Sequence, residues 1–260
     1  MPAVRDIETA LFSLAPRELA MKWDNVGLLV GECEKEVHHV LIALDVTEAV
    51  AEEARQTGAE LIAAHHPVMN CHWSPVQSLR NDTLQGHLLR KLVRDGTSVI
   101  CMHTNLDAAQ GGVNDALAQR LGLEQTEIME GGEGIVRMGL LPEPMPVSQF
   151  LELVRKRLRP NGIRYVEKTG TVQRVAVGGG ACGEYFEAAV REHCDAFVTA
   201  DLKYNQFLDA GALGLCLVDA GHFPTEDVVC SVLEQFLTER FPDLKVTKAS
   251  SHWERIQYYV

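Results

Sequence analysis

Apolar and polar positions follow two rhythms along this chain. Short unbroken apolar runs, which suit strands buried on both faces, are separated by stretches whose apolar residues recur at helical spacing. Val40-Leu41-Ile42-Ala43-Leu44 is the first such run, and Thr47 then caps a helix that carries Val50 and Ala54 on one face and stops at Gly58. Leu61 to Ala64 predicts the next strand, Leu84 to Val93 the next helix, and Ser98 to Met102 a third strand. A helix with Val113, Leu117 and Leu121 on one face follows Gly112. This β-α order predicts a parallel sheet with right-handed crossovers.

The second half repeats the pattern. Strands are expected at Val175–Val177, Ala196–Thr199 and Leu215–Val218, with helices at Tyr185–Arg191, Leu202–Ala210 and Val228–Leu237. Leu61-Ile62-Ala63-Ala64-His65 corresponds to Phe197-Val198-Thr199-Ala200-Asp201. The fold class is therefore α/β: two similar α/β lobes with largely parallel sheets and a metal site in the crevice between them. Residues 1–127 form the first lobe and 128–260 the second, with the last strand or helix free to pack back on the first. The Gly- and Pro-rich stretch from Glu130 to Gln173 shows one clear helix, Val147 to Leu158, and Ile256-Gln257-Tyr258-Tyr259 reads as a weak closing strand.

Composition narrows the function. With 46% apolar residues, the 260-residue chain can bury a large core. A formal net charge of -12 argues against a broad nucleic-acid or anionic-membrane surface. Seven scattered cysteines, without Cys-x-x-Cys spacing, fit reduced thiols in a cytoplasmic protein. The N-terminus lacks the apolar stretch of a signal peptide, and no apolar run approaches the roughly 18 residues that cross a bilayer.

The expected strands end in chemistry. His65 and His66 follow one; His103-Thr104-Asn105-Leu106-Asp107 follows the next; His222-Phe223-Pro224-Thr225-Glu226 follows the last of the second half. Sites in open α/β sheets form at such carboxyl ends. Two adjacent histidines leaving a strand can each reach a different ion. Glu226, with two oxygens, is the natural bridge. A mixed imidazole and carboxylate set suits zinc, manganese, iron or cobalt better than magnesium or calcium. His103 reads either as a ligand or as a donor steadying the Asp107 loop, Trp23-Asp24-Asn25 as a structural turn, and Lys203 and Tyr204 as an exposed helix start or substrate contacts. His38, His39, His87, His193 and His252 have no organised company.

Gly178-Gly179-Gly180-Ala181-Cys182-Gly183 matches G-x-G-x-x-G between a strand and a helix. Asp201 sits where a ribose-binding acid would be sought, but it ends its strand one position late and aligns with His65. The motif is read as a tight turn that also touches a substrate phosphate, and Gly180 is expected to be dispensable for metal binding.

Together, Trp23-Asp24-Asn25-Val26-Gly27-Leu28, His65-His66-Pro67, His103-Thr104-Asn105-Leu106-Asp107 and Asp219-Ala220-Gly221-His222 with Glu226 resemble the dinuclear-metal GTP cyclohydrolase 1 type 2 family, also called interacting-factor-three-like, in its short form. The resemblance spans the chain in order. It implies that His65, Asp107 and Glu226 hold one divalent ion while His66, His222 and Glu226 hold the other. His103 would stand beside them as a ligand or proton carrier, so that Glu226 and His103 are the expected catalytic residues. It also implies a hexameric ring and a small-molecule substrate, GTP or another nucleotide, opened by a metal-activated water. A non-catalytic metal-binding scaffold or regulatory protein is the alternative. Two departures stand out: many members carry histidine after Lys-Tyr where this chain has Lys203-Tyr204-Asn205, and the tract Val68-Met69-Asn70-Cys71-His72-Trp73 is more polar than in many relatives.

Overall fold

The computed structural model describes residues 1–70 and 75–259. Of the polar tract singled out in the sequence, Cys71, His72 and Trp73 lie outside the described residues. The chain divides into two compact units, Met1–Gln110 with Cys230–Trp253, and Gly111–Val229 with Glu254–Val260.

The first unit opens with α1 (Val4–Leu14), which buries Val4, Ile7 and Leu11. It continues through β1 (Gly27–Val30), β2 (His39–Ala43), α2 (Glu48–Thr57), β3 (Leu61–Ala64), α3 (Leu84–Asp95), β4 (Ser98–Cys101) and the short α4 (Thr104–Ala108). Residues of β2, β3 and β4 are buried throughout, because helices cover the faces of a parallel sheet. At α2, the Thr47 hydroxyl oxygen accepts the Val50 N–H at 3.2 Å, and Gly58 closes the helix at φ 71°. β2, β3 and β4 run parallel, with Ala43 opposite Ala64 and Ala64 opposite Cys101. β1 lies antiparallel on the β4 edge, with Gly27 opposite Cys101. That register matters: the starts of β1 and the ends of β2, β3 and β4 all fall on one rim of the sheet.

The second unit contains α5 (Val113–Leu121), β5 (Glu124–Ile128), β6 (Arg137–Pro146), α6 (Val147–Leu158), β7 (Arg164–Tyr165), β8 (Thr171–Val177), α7 (Phe186–Arg191), β9 (Ala196–Thr199), α8 (Tyr204–Ala212), β10 (Cys216–Asp219) and α9 (His222–Glu226). Its sheet runs β5-β6-β8-β9-β10-β7. The centre, β8-β9-β10, is parallel, and the pairs that flank it are antiparallel. Its core joins Leu117 and Leu121 of α5, Phe150 and Val154 of α6, and Val175, Val198 and Val218 of the central strands. α10 (Val228–Arg240) then carries the chain back to the first unit, where β11 (Lys245–Lys248) pairs parallel with β2.

Three sequence expectations change. The division falls at 110/111 rather than 127/128, because α5 packs in the second core and β5 pairs with β6. The Gly/Pro-rich segment holds a ten-residue strand, β6, as well as its helix. Pro142 and Pro144 escape penalty there because the β5 pairing ends at Leu140, which leaves their part of β6 on an edge. Residues 256–259 form no strand; instead the Ile256 carbonyl accepts from Asn161 Nδ2 at 2.6 Å. The closing strand is β11, whose lysines suit an edge position and masked it in the sequence.

Asp195, just before β9, ties the central strands together. Its carboxylate accepts the backbone N–H groups of Gln173 and Arg174 and pairs with Lys168 Nζ at 2.5 Å. Burial alone would raise this carboxyl, but the Lys168 and backbone hydrogen bonds hold it below the ordinary value. A depressed carboxyl stabilises the fold above its unfolded pKa and loses that contribution as pH falls through the folded one. We expect Asp195→Asn to cost about 1–3 kcal/mol at neutral pH. Thermal melts should show the gap between wild type and variant shrinking below roughly pH 4.

Candidate metal centre

Sheet register builds the first set of polar groups. β3 and β4 end side by side, so His65 and His66 emerge one and two residues beyond Ala64, next to His103, two residues beyond Cys101. One donor atom from each of these three histidines lies within 4.8 Å of the others. The His66 N–H donates to the Leu44 carbonyl at 2.9 Å, which lines the end of β2 up with this pair. Asp107 projects from α4 and brings Oδ1 to 3.5 Å from His65 Nε2. His65, His103 and Asp107 are buried.

Every ring in this set is held at Nδ1. His65 Nδ1 lies 2.8 Å from the Met102 carbonyl, His66 Nδ1 2.8 Å from Asp45 Oδ1, and His103 Nδ1 2.8 Å from Asp24 Oδ1. A carbonyl can only accept, so His65 carries its proton on Nδ1 and its Nε2 is unprotonated. Facing a carboxylate oxygen at 3.5 Å, that nitrogen's lone pair calls for a cation. Two ligands bound at about 2.1 Å around a tetrahedral ion stand roughly this far apart. The Asp24 side chain is fully buried. Burial would raise its carboxyl, but the His103 hydrogen bond and charge, with two bonds from Thr104, bring it down to about 2.

The second unit supplies a second set. β9 and β10 are in register at Thr199 and Asp219, so Asp201 and His222 emerge on the same rim. His222 and Glu226 are four residues apart on α9 and therefore share a face. Their Nε2 and Oε2 atoms are 3.0 Å apart, and His222 Nδ1 is held by Asp201 Oδ2 at 2.7 Å. Burial would lower the pKa of His222; the charges and hydrogen bonds of Glu226 and Asp201 overcome it and raise it to about 11. The ring sits where two carboxylates demand a positive charge, which a proton or a metal ion can supply. The Glu226 carboxylate is buried. The donor chemistry of both sets thus fits divalent metal: imidazole Nε2 and carboxylate oxygen, each ring steadied from behind by an oxygen.

The glycine loop serves this second set. The N–H groups of Gly178, Gly179, Gly180 and Cys182 donate to Val198 O, Asn114 Oδ1, Thr225 Oγ1 and Thr199 Oγ1 respectively. Those four donors are spent inside the protein, which counts against the anion-cradle reading. A Cβ on Gly180, at φ 63°, would overlap Glu226 Oε1 and lie 3.1 Å from His222 Nε2. This glycine makes room for the carboxylate, which counts against its being dispensable.

His65, His66, His103 and Asp107 thus gather on the first unit, and His222 and Glu226 on the second. The sequence reading missed the carboxylates behind the rings. Asp45 follows the Val40–Leu44 run as His65 follows Leu61–Ala64, a signal that was present but assigned to no strand end. In the sequence, Asp24 reads as a turn residue and Asp201 only as a candidate ribose ligand. Of the histidines left aside, His39 Nε2 lies 2.7 Å from Thr247 Oγ1, and His252 accepts the Leu44 N–H at 3.1 Å.

The family model for Duf34/NIF3 (NGG1p interacting factor 3) matches residues 2–254. A Clostridium perfringens protein called GTP cyclohydrolase 1 type 2 homolog is 32% identical over 243 residues, covering 91% of this chain and 92% of its own. A Streptomyces coelicolor protein of the same name is 34% identical, with 89% and 84% covered. Among solved structures, a Bacillus cereus protein related to NIF3 superposes with a TM-score of 0.93 at 27% identity, covering 100% of this chain and 99% of that one. Reduced HcgD from Methanocaldococcus jannaschii gives 0.83 at 27% identity, with 96% and 98% covered. The fold, the ordered strand-end residues and these relatives lead to one assignment: the chain belongs to the Duf34/NIF3 (NGG1p interacting factor 3) family.

Proposed function

We propose that the ligand sets of the two units serve one pair of divalent ions, and that the protein is a metal-dependent hydrolase of a nucleotide, GTP first. His65, Asp107 and Glu226 would hold one ion and His66, His222 and Glu226 the other, with Glu226 common to both sets. The observation that carries this reading is the tethering of Nδ1 in His65, His66, His103 and His222, which leaves Nε2 in each as the ligating or proton-accepting atom. Names borne by the relatives, GTP cyclohydrolase 1 type 2 homolog, support the nucleotide.

When bound, such ions polarise water and substrate oxygen as Lewis acids. The remaining work falls to the chain. Asp45 and Asp201 orient His66 and His222 and increase their basicity as ligands. His103, close to the His65 and His66 rings but backed by a sealed carboxylate, is placed to take a proton on Nε2. Asp24 then stabilises the imidazolium that forms, as a buried aspartate does behind a catalytic histidine. With GTP, hydrolysis at the imidazole carbon of guanine opens the ring, and a second hydrolysis releases formate.

Three outcomes are expected. Glu226→Gln should remain folded and lose at least one ion per chain by elemental analysis; an unchanged metal count would refute the bridging role. Gly180→Ala should lose metal, whereas Gly170→Ala, equally left-handed at φ 88° but with open space around its Cβ, should keep it. Equal metal content in the two variants would show that the Glu226 contact does not matter. Purified protein reconstituted with metal should release formate from GTP, and the Glu226→Gln variant should not. Full metal occupancy without formate from the wild type would instead favour a scaffold without turnover on this substrate.

A further inference from the structure

Four polar groups converge on the side chain of Asp24. Its Oδ1 accepts the Asn25 N–H at 2.7 Å and lies 2.8 Å from His103 Nδ1. Its Oδ2 accepts the Thr104 N–H at 2.9 Å and also the Thr104 hydroxyl. That hydroxyl is itself oriented, since Thr104 Oγ1 accepts the Met21 N–H at 2.9 Å. Both oxygens are therefore occupied by fixed donors, and the fourth group, His103 Nδ1, completes the set as an N–H. The side chain is 0% exposed, whereas Asp45 and Asp201, behind His66 and His222, are 49% and 52% exposed. Solvent reaches those two carboxylates, whereas it does not reach the Asp24 side chain.

We propose that Asp24 is a positioning residue for the metal centre, holding His103 as the Nδ1–H tautomer with an unprotonated Nε2 and fixing the start of α4, which carries Asp107. One carboxylate thus sets a donor atom and a ligand-bearing helix together. Thr104 is the first residue of α4, and Asp107 lies one turn further on. The inference rests on reading the centre as a metal site.

The arrangement discriminates against the isosteric amide. Asparagine at position 24 has the same shape but replaces one oxygen with an –NH2 group. With that group in place of Oδ1, it meets the Asn25 N–H; in place of Oδ2, it meets the Thr104 N–H. Either orientation sets donor against donor in a buried site. The first also offers His103 Nδ1 a donor, which moves the ring proton to Nε2 and removes the lone pair the centre needs.

The tautomer is directly readable. In metal-free protein carrying 15N-labelled histidine, two-bond 1H–15N correlations should report His103 as Nδ1–H in the wild type and, in the fraction of Asp24→Asn whose amide nitrogen takes the Oδ1 position, as Nε2–H, with His65, held by a carbonyl, unchanged. With zinc as the probe, Asp24→Asn should weaken binding roughly 10–100-fold through the start of α4 and Asp107. Nε2–H at His103 in the wild type overturns the proposal whether or not the variant folds. So does a folded variant that keeps the Nδ1–H tautomer and wild-type zinc affinity. Absence of formate from GTP bears on the proposed reaction and leaves this result untouched.

Discussion

An imidazole ring bound to an oxygen through Nδ1 has only Nε2 left to offer, and its orientation is fixed by the bond behind it. Among the described residues, His65, His66, His103 and His222 are held in that way, by one carbonyl and three carboxylates. Each tether comes from a different part of the chain, and sheet register brings it into place. Antiparallel β1 starts beside Cys101, which sets Asp24 behind His103. Parallel β2 ends beside β3, which sets Asp45 behind His66. In the second unit the pairing of β9 with β10 does the same for Asp201 and His222. A slip of one register position would part a ring from its tether.

Such a rim works against stability. Buried imidazole and carboxylate groups cost free energy unless they are paired or bound to a cation. His65, Asp107 and Glu226 are buried, and His222 sits between two carboxylates strongly enough to hold a proton well above its ordinary pKa. Apolar runs immediately behind the rim, Leu61–Ala64, Ser98–Cys101 and Ala196–Thr199, are fully buried and hold these groups in position. Gly180 shows the same priority on a small scale: a left-handed glycine is kept where any side chain would strike Glu226.

Much of this was legible in the sequence because it follows from local rules. Central strands announced themselves as continuous apolar runs, and Thr47 and Gly58 marked the ends of α2 as observed. The histidines and acids that gather on each unit stood at expected strand ends. What escaped were features set by pairing partners rather than by local pattern. β6 carries prolines that only an edge tolerates, β5 is exposed along its length, and β11 hides under lysines. Asp24 and Asp45 escaped for a related reason: a carboxylate behind a histidine is defined by a neighbour 79 or 21 residues away, and neither lies in a recognisable spacing.

Anomalous scattering from crystals grown with zinc tests the central claim most directly, because it locates the metal against named atoms. The expected result is density within about 2.0–2.2 Å of Nε2 of His65, His66 and His222, with Nδ1 of each still on its oxygen. Metal bound through Nδ1 of any of these rings, or no metal at these residues, would contradict it.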